Sequence, residues 1–243
     1  MDDDDDDKGV FNRRFRFCGF FREKPARDLI TQCPRCTRYY AACCAHQSLR
    51  GSLVVPCHHD KIVFTDGACS NNGRQGATAG IGVVIGGAEE CRWSIPVDDN
   101  IDPDSPRTSQ RAELLAALEG LEKLHEEETY IDESEGEQPR RHQTAKFKTH
   151  KSANPRDPYT WVIVTDSEYV VLGMTEYIYK WRTNGWRNSQ GKRVANLDLF
   201  LKLDDAIGLI EQEGIQVGFW HIPRELNSEA DELAKAAARC RVL

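Results

Sequence analysis

Two short apolar runs, each ending in an aspartate, constrain the fold of this chain more than any other feature. Ile62–Thr65 leads into Asp66, and Trp161–Thr165 leads into Asp166. Because both runs are short and rich in β-branched residues, they predict buried strands. A lone carboxylate at the end of a buried strand loses its hydration without compensation. The two aspartates therefore predict a functional edge of a sheet.

Two further acids, Glu113 and Asp231, lie in the first turns of predicted helices. Apolar residues at helical spacing predict helices over residues 112–124 and 228–239. Each acid also has a purely structural explanation, because an acid stabilises the positive end of a helix dipole. For Asp231 that alternative is stronger, since Ser228 three residues earlier completes a capping-box pattern.

Together the four carboxylates predict a site for hard cations. The set contains no His or Cys, and carboxylate oxygens are ligands that suit Mg²⁺ or Mn²⁺. Two such ions about 3.5–4 Å apart are the usual apparatus for in-line displacement at phosphorus. The acids therefore indicate phosphoryl chemistry.

Four motifs carry the acids in a fixed order: Thr65-Asp66-Gly67-Ala68-Cys69-Ser70, Gln110-Arg111-Ala112-Glu113, Thr165-Asp166-Ser167 and Glu229-Ala230-Asp231-Glu232-Leu233-Ala234. With them, residues 61–243 resemble the type 1 ribonucleases H, which cut the RNA strand of RNA–DNA hybrids. The resemblance implies an α/β ribonuclease H-like fold with a five-stranded mixed sheet, three antiparallel strands leading, and helices on both faces. Sequence patterns place the strands at residues 61–65, 80–87, 91–97, 161–165 and 215–222. Gly86 and Gly87 predict a tight hairpin between the second and third strands.

The resemblance also implies a role for individual residues. The catalytic residues and metal ligands would be Asp66, Glu113, Asp166 and Asp231, with two Mg²⁺ ions that Mn²⁺ could replace. Cleavage would leave 5′-phosphate and 3′-hydroxyl ends. Substrate contacts fall into three groups: Asn72, Ser109 and Gln110 for RNA 2′-hydroxyls, Thr108 and Asn196 for a DNA phosphate, and Tyr169, Tyr177 and Trp181 for an aromatic channel.

This sequence departs from the family pattern at two places. Ser109 stands where Asn is usual, so its contact is less well supported. The loop between Pro223 and Asn227 is short and lacks the His that assists many family members. Arg224 in that loop is a partial substitute, and we expect slower turnover with an intact metal site.

A segment rich in Trp and cations follows the helix that begins after Asp166. It contains two Trp and four cations around an Asn-Gly turn: Trp181, Arg182, Trp186, Arg187, Lys192 and Arg193. This segment resembles the basic substrate-binding handle of many family members. The alternative is an ordinary helix and turn in which the two indole rings pack on the domain.

The first 60 residues divide into two predicted segments. Residues 1–27 form a predicted flexible tail, acidic at first and then rich in Arg and Phe, which could contact nucleic acid or pack on the domain. Residues 28–60 are rich in Cys and His. They predict a structural zinc site formed by Cys33, Cys36 and two of Cys43, Cys44, His46, Cys57, His58 and His59, the alternative being a Cys-rich loop without metal. The N-terminal hybrid-binding module of many eukaryotic relatives is not recognisable in residues 1–60.

The net charge of −7 hides a basic remainder. Residues 2–7 and 126–137 hold 13 acids and no Lys or Arg, and without them the remainder carries +6. Residues 126–158 lack periodicity and predict a disordered insertion. The sequence has no apolar run of 18 residues and no visible signal peptide, so we expect an intracellular protein without membrane contact. We also expect a monomer with a nucleic-acid partner. The alternatives to a hybrid-cleaving enzyme are a weak or inactive hybrid-binding scaffold on the same fold and a structure-specific nuclease.

Overall fold

The structure, a computed structural model, describes residues 8–43, 48–50, 53–129 and 158–240. From Asp60 onwards, the described part of the chain forms three strands, one α-helix, a fourth strand, three α-helices, a fifth strand and a last α-helix. In chain order the elements are β1 (Gly9–Phe11), β2 (Arg14–Arg16), β3 (Ile30–Gln32), β4 (Tyr39–Ala41), β5 (Ser48–Arg50), β6 (Leu53–Val55), β7 (Asp60–Ser70), β8 (Thr78–Val84), β9 (Arg92–Val97), α1 (Ser109–Thr129), β10 (Thr160–Thr165), α2 (Glu168–Leu172), α3 (Ile178–Thr183), α4 (Leu197–Gln212), β11 (Gln216–His221) and α5 (Ser228–Arg239). A short π-helical stretch, Gly173–Tyr177, joins α2 to α3.

The predicted mixed sheet of five strands is present. Strand β7 pairs antiparallel with β8, which pairs antiparallel with β9, and β7 also pairs in parallel with β10, which pairs in parallel with β11. The long β7 is central because it bonds to β10 over its first half and to β8 over its second. Among these five strands the three antiparallel ones come first in the chain, as the resemblance implies.

The sheet separates two buried clusters. On one face Val63 and Ile163 join side chains of α1, α2, α3 and α4. On the other face Phe64 and Val164 join Ala230 of α5. Because successive side chains of a strand point to opposite faces, the alternation along β7 and β10 is the direct cause of the two layers. No helix among the described residues is long and apolar enough to cross a membrane.

Residues 8–43, here called the N-terminal extension, add four short strands to the same sheet. Strand β2 pairs in parallel with β11 at one edge, and β4 pairs antiparallel with the start of β7. Phe15 and Ala41 are buried in the cluster on the α5 face. The prediction of a flexible tail is therefore wrong for residues 8–27, because Phe15 of this stretch is buried and packs over Gly218. Residues 1–7 lie outside the described residues.

Two other boundaries differ from the sequence expectation. Helix α1 continues through Thr129, and Glu127 and Glu128 of its last turn form ion pairs with Lys61, so the predicted insertion does not begin at residue 126. The rest of that insertion, residues 130–157, lies outside the described residues. The pair Gly86 and Gly87 does not form a tight hairpin, because a 3-10 turn at Glu89–Cys91 precedes β9. Both glycines instead lie against the extension.

Candidate active site

Close packing of two helices against the sheet brings the four acids to one end of it. Asp166 directly follows β10, and Asp66 lies in β7 beyond the stretch that pairs with β10. A Cβ atom on Gly67 would lie 2.2 Å from the backbone nitrogen of Glu113, so only glycine lets α1 come this close. On the other side, Gly82 pairs with Asp66, and a Cβ on Gly82 would lie 2.0 Å from the Ala230 carbonyl oxygen, one residue before Asp231.

Neighbouring polar groups fix the orientation of Asp166 and Glu113. The Asn227 amide donates to Oδ1 of Asp166 at 2.7 Å and to the Thr65 carbonyl at 3.1 Å. The Ser167 hydroxyl donates to Glu113. Asn227 is buried, so its two bonds tie the ends of β7 and β10 to the start of α5. The sequence did not single out Asn227, because its partners are distant along the chain.

Two cations contact Asp231. Arg224 Nη2 lies 2.5 Å from Oδ1 of Asp231, and its Nη1 lies 3.9 Å from Oδ2 of Asp166. Lys235 Nζ lies 2.6 Å from Oδ2 of Asp231. The capping-box explanation of Asp231 is wrong, because Asn227 is the N-cap of α5 and no side chain caps the helix. The Asp231 carboxylate instead forms ion pairs with Arg224 and Lys235.

The acids share one electrostatic environment. Burial, followed by the charges of Asp166, Asp231 and Glu113, raises the pKa of Asp66 to about 7. Burial also raises the pKa of Glu113, which the hydrogen bond from Ser167 opposes. Repulsion among neighbouring carboxylates has this effect until a cation enters. The donor set is oxygen-rich, which fits a hard divalent cation.

Comparison with known proteins decides the family. The RNase H family model matches residues 58–134 and 138–239, which is most of the chain. Ribonuclease H of Rhodospirillum rubrum is 32% identical over 175 residues, covering 71% of this chain and 80% of that protein. The chain belongs to the ribonuclease H family.

Other relatives cover the same region. Mouse ribonuclease H1 is 32% identical over 182 residues, covering 73% of this chain and 50% of its own length. The chain thus spans about half the length of the mammalian relatives it matches. Among solved structures, that of LC11-RNase H1 isolated from compost aligns with a TM-score of 0.44 and 23% identity, covering 74% of this chain and 96% of that one.

The residues that the ribonuclease H resemblance assigns to the RNA strand lie where α1 begins. The side-chain oxygen of Asn72 accepts a hydrogen bond from the Ser109 backbone at 3.0 Å, which joins the β7–β8 loop to the helix. Gln110 is exposed at the same helix start. The hydroxyl of Thr108 accepts from the Arg111 backbone at 3.2 Å and so caps α1. The structure thus brings Asn72, Thr108 and Ser109 together.

The residues assigned to the DNA strand form a second group near the start of α4. The Asn196 amide donates to the Tyr169 hydroxyl at 3.0 Å. Asn196 has a positive φ of 55° immediately before α4, a conformation that Asn adopts more readily than most residues. The rings of Tyr177 and Trp181 lie 5.7 Å apart, and Tyr177 ends the π-helical stretch. Single π-helical turns of this kind are frequent at functional sites.

Arg111 links these two groups and was not assigned a role from the sequence. Its buried guanidinium binds both oxygens of Asp102, at 2.6 and 2.8 Å. It also binds Asp198 in the first turn of α4, at 2.7 and 3.1 Å. Because Thr108 caps α1 and Asn196 immediately precedes α4, this double ion pair sets the spacing between the two halves of the predicted phosphate pocket.

The predicted handle is a closed loop that follows α3. The Asn184 side chain bonds to both backbone groups of Arg187, at 2.8 and 3.0 Å, and the Trp186 backbone donates to the Trp181 carbonyl at 2.8 Å. Arg187, Lys192 and Arg193 are exposed, whereas Arg182 is held by Asp204. Trp181 and Trp186 pack against the buried cluster, as the alternative expects, while three of the four cations of the segment face solvent.

Three of the candidate zinc ligands lie together. The ligand atoms of Cys33, Cys36 and His58 are all within 4.8 Å of one another, and Cys36 Sγ lies 3.9 Å from His58 Nε2. The His58 ring stacks on Tyr40 at 4.2 Å. Cys43 and Cys57 do not join this group; they hydrogen-bond to each other, which together with burial raises the pKa of Cys57. His59 bonds to Asp60, and Cys44 and His46 lie outside the described residues.

Proposed function

We propose that this chain is an endoribonuclease that cuts the RNA strand of RNA–DNA hybrids by metal-dependent hydrolysis. The observation that carries the proposal is the convergence of Asp66, Glu113, Asp166 and Asp231, with the pKa of Asp66 raised by burial and by the other three. Family membership supports divalent-metal dependence. Products with 5′-phosphate and 3′-hydroxyl ends follow from hydrolysis of this type.

The chain's own residues prepare the site for two Mg²⁺ ions, which Mn²⁺ could replace. Bound ions of this kind activate water and stabilise the leaving 3′-oxygen. Asn227 holds Asp166 through Oδ1, so the other carboxylate oxygen remains available as a ligand. Ser167 holds Glu113 in the same way. When no metal ion is bound, the positive charges of Arg224 and Lys235 reduce the repulsion between Asp231 and the other carboxylates.

The substrate assignment rests on two separate contact surfaces. Asn72, Ser109 and Gln110 at the start of α1 would contact 2′-hydroxyls in the minor groove, the group that distinguishes RNA from DNA. Thr108 and Asn196 would hold a phosphate of the DNA strand, with Tyr169, Tyr177 and Trp181 beside its sugars. Arg111 fixes the distance between these surfaces.

The second candidate function is a hybrid-binding protein with weak or no cleavage. It is favoured by one observation, the pairing of Asp231 with two cations, since these compete with a divalent ion for the same oxygens. The absence of the family His from the Pro223–Asn227 loop acts in the same direction. Arg224 is 65% exposed and can leave Asp231 at little cost, so we prefer the enzyme.

The test is cleavage of strand-labelled substrates by the full chain with Mg²⁺ or Mn²⁺. We expect cuts in the RNA strand of a hybrid, and none in single-stranded RNA, single-stranded DNA, duplex RNA or duplex DNA. A hybrid that binds but stays uncut would favour the scaffold. Cutting that follows flaps or junctions rather than hybrid would favour a structure-specific nuclease.

We also propose a structural zinc held by Cys33, Cys36, His58 and a fourth ligand from the other candidate Cys and His residues. The 3.9 Å between Cys36 Sγ and His58 Nε2 fits two ligands of one ion, given zinc–sulfur and zinc–nitrogen bonds of about 2.3 and 2.0 Å. The ion would tie the β3–β4 turn to the residues that precede β7. Metal analysis of protein purified without chelators should find about one zinc per chain. A protein that is folded but contains no zinc would support the loop without metal.

The remaining sequence expectations stay predictions. They are the monomeric state and the intracellular location. Gel filtration with light scattering measures the first, and microscopy of the tagged chain measures the second.

A further inference from the structure

The N-terminal extension carries an exposed aromatic ring beside two cations. Phe20 is 71% exposed, the largest exposed fraction among the large apolar residues described. The Lys24 ammonium lies 5.1 Å from the centre of its ring. Phe20 also lines an open hollow of about 520 Å³ with Cys18, Gly19, Arg22 and Glu23. We call Phe20, Arg22 and Lys24 the Phe20 patch.

The rings next to Phe20 hold this patch at the catalytic end of the sheet. Strand β2 runs parallel to β11, so the residues after Arg16 emerge at the end where β10 leads into Asp166. Ring centres follow one another at 5.0 Å from Phe20 to Phe21, 6.4 Å from Phe21 to Phe17, and 4.8 Å from Phe17 to Trp220. The residue after Trp220 is His221, whose Nε2 lies 3.2 Å from the Asp166 carbonyl oxygen.

Phe21 and Phe17 explain the local fold, but they do not explain the exposure of Phe20. Phe21 is buried and anchors the 3-10 turn Gly19–Phe21. Phe17 packs on Trp220 with the rings nearly perpendicular. Even with the Lys24 ammonium and the Phe21 ring beside it, Phe20 stays 71% exposed, so most of its ring is open to a partner. The adjacent cations favour an anionic partner with flat apolar groups, which describes a nucleic-acid strand with unpaired bases.

We propose that the Phe20 patch binds single-stranded DNA that continues from the DNA strand of the hybrid. This inference rests on the proposed function, because cleavage and release of RNA fragments leave the DNA strand unpaired beside the acids. A base would stack on Phe20 while Arg22 and Lys24 contact the flanking phosphates. Glu23 opposes these contacts, and the two cations outnumber it. Nothing in the patch distinguishes bases, so binding is independent of sequence.

The test compares the affinity of the full chain for three hybrids, measured without divalent cations so that no cleavage occurs. The hybrids are blunt, with a DNA overhang, or with an RNA overhang of the same length and sequence. We expect the DNA overhang to tighten binding by the wild type about 5-fold or more, the range of one base–aromatic stack. Phe20→Ala should lose this gain, and Phe20→Trp should keep it. Lys24→Ala should reduce the salt slope for the overhang substrate by about 0.7.

Leu209→Ala is the matched control, since Leu209 is 64% exposed and lies near the end of α4, away from the catalytic end of the sheet. It should behave as wild type on every substrate. The inference is overturned if the overhang gives no gain, if Phe20→Ala keeps the gain, or if the RNA overhang gives the larger one. Cleavage of the blunt hybrid with Mg²⁺ is measured separately. If the blunt hybrid is cut and the overhang has no effect, this inference fails while the proposed function stands.

Discussion

The acid site and the N-terminal extension are built on one sheet by different means. The acid site is formed by side chains that strands and helix starts hold in place, with Gly67 and Gly82 permitting close approach. The extension consists of strands only three residues long, held by a few buried rings and by the Cys33–Cys36–His58 group. The acid site concentrates negative charge in a small volume. The N-terminal extension adds short strands that pair with β11 and with the start of β7.

The acid site and the extension differ in what they contribute to stability and to cleavage. Clustered carboxylates cost free energy in the absence of cations, because burial and repulsion both oppose ionisation. The extension contributes contacts and contains none of the four acids. We therefore expect changes in the two regions to have opposite effects on stability and very different effects on cleavage.

The largest stability effect is expected at the zinc ligands. Cys36→Ser should release zinc and lower the free energy of opening of residues 30–41 by roughly 3 kcal/mol or more, because structural zinc supplies folding energy directly. Hydrogen exchange of those residues measures the opening. Cys240→Ser, at the exposed end of α5, is the control. Unchanged protection in Cys36→Ser would mean that the extension holds without a metal.

A stabilising effect is expected at Asp66. The pKa of Asp66 is about 7 in the folded protein against 3.8 for the ordinary group, so the folded state binds the proton more tightly. The free energy of unfolding therefore falls as pH rises from about 4 to about 7, and the penalty remains above pH 7. Without added Mg²⁺, Asp66→Asn should raise the free energy of unfolding by on the order of 2–4 kcal/mol at pH 8 and hardly at all at pH 4. Urea unfolding at both pH values measures the difference, and equal effects at the two would contradict the pKa.

The smallest effect concerns binding through the handle. Neutralising Arg187, Lys192 and Arg193 removes up to three phosphate contacts, each contributing roughly 0.7–0.9 to the slope of log affinity against log salt. The triple variant should bind blunt hybrid more weakly and with a shallower slope. Its single-turnover rate at saturating enzyme should change little, because the acids are untouched.

A control with the same loss of charge separates the handle from overall charge. The exposed cations Arg35, Lys202 and Arg239 lie outside the loop, and neutralising them should leave the slope near the wild-type value. If both triple variants lose affinity equally, net charge and not the loop governs binding. If neither does, the loop makes no contact with the substrate.

The central sheet and the acids could be predicted from the sequence because their signals are local. Apolar runs, helical spacing and four short motifs each lie within a dozen residues, and they predicted strands β7 to β11 and the helices α1 and α5. Asp166 follows β10 as predicted, whereas the predicted strand end at Asp66 is wrong, because pairing with β8 continues β7 to Ser70.

The remaining features depend on partners that are distant along the chain. Strand β2 is Arg-Phe-Arg, which has no strand signal of its own; it forms because Phe15 covers Gly218. Arg111 can be buried only because it forms ion pairs with Asp102, in the loop before α1, and with Asp198, in α4. Three of the zinc candidates could be recognised as neighbours only because folding brings His58 to the Cys33–Cys36 turn.

Single-turnover cleavage of a labelled RNA–DNA hybrid by Asp166→Asn tests the central claim most directly, namely that the four acids form one metal-dependent site. The substitution keeps the shape of the side chain and removes its charge. We predict a loss of roughly 10³-fold or more, or about 4 kcal/mol, with hybrid binding retained. Asp205→Asn, an exposed acid on α4, should cut at the wild-type rate. Near-normal cleavage by Asp166→Asn with Mg²⁺ would contradict the account.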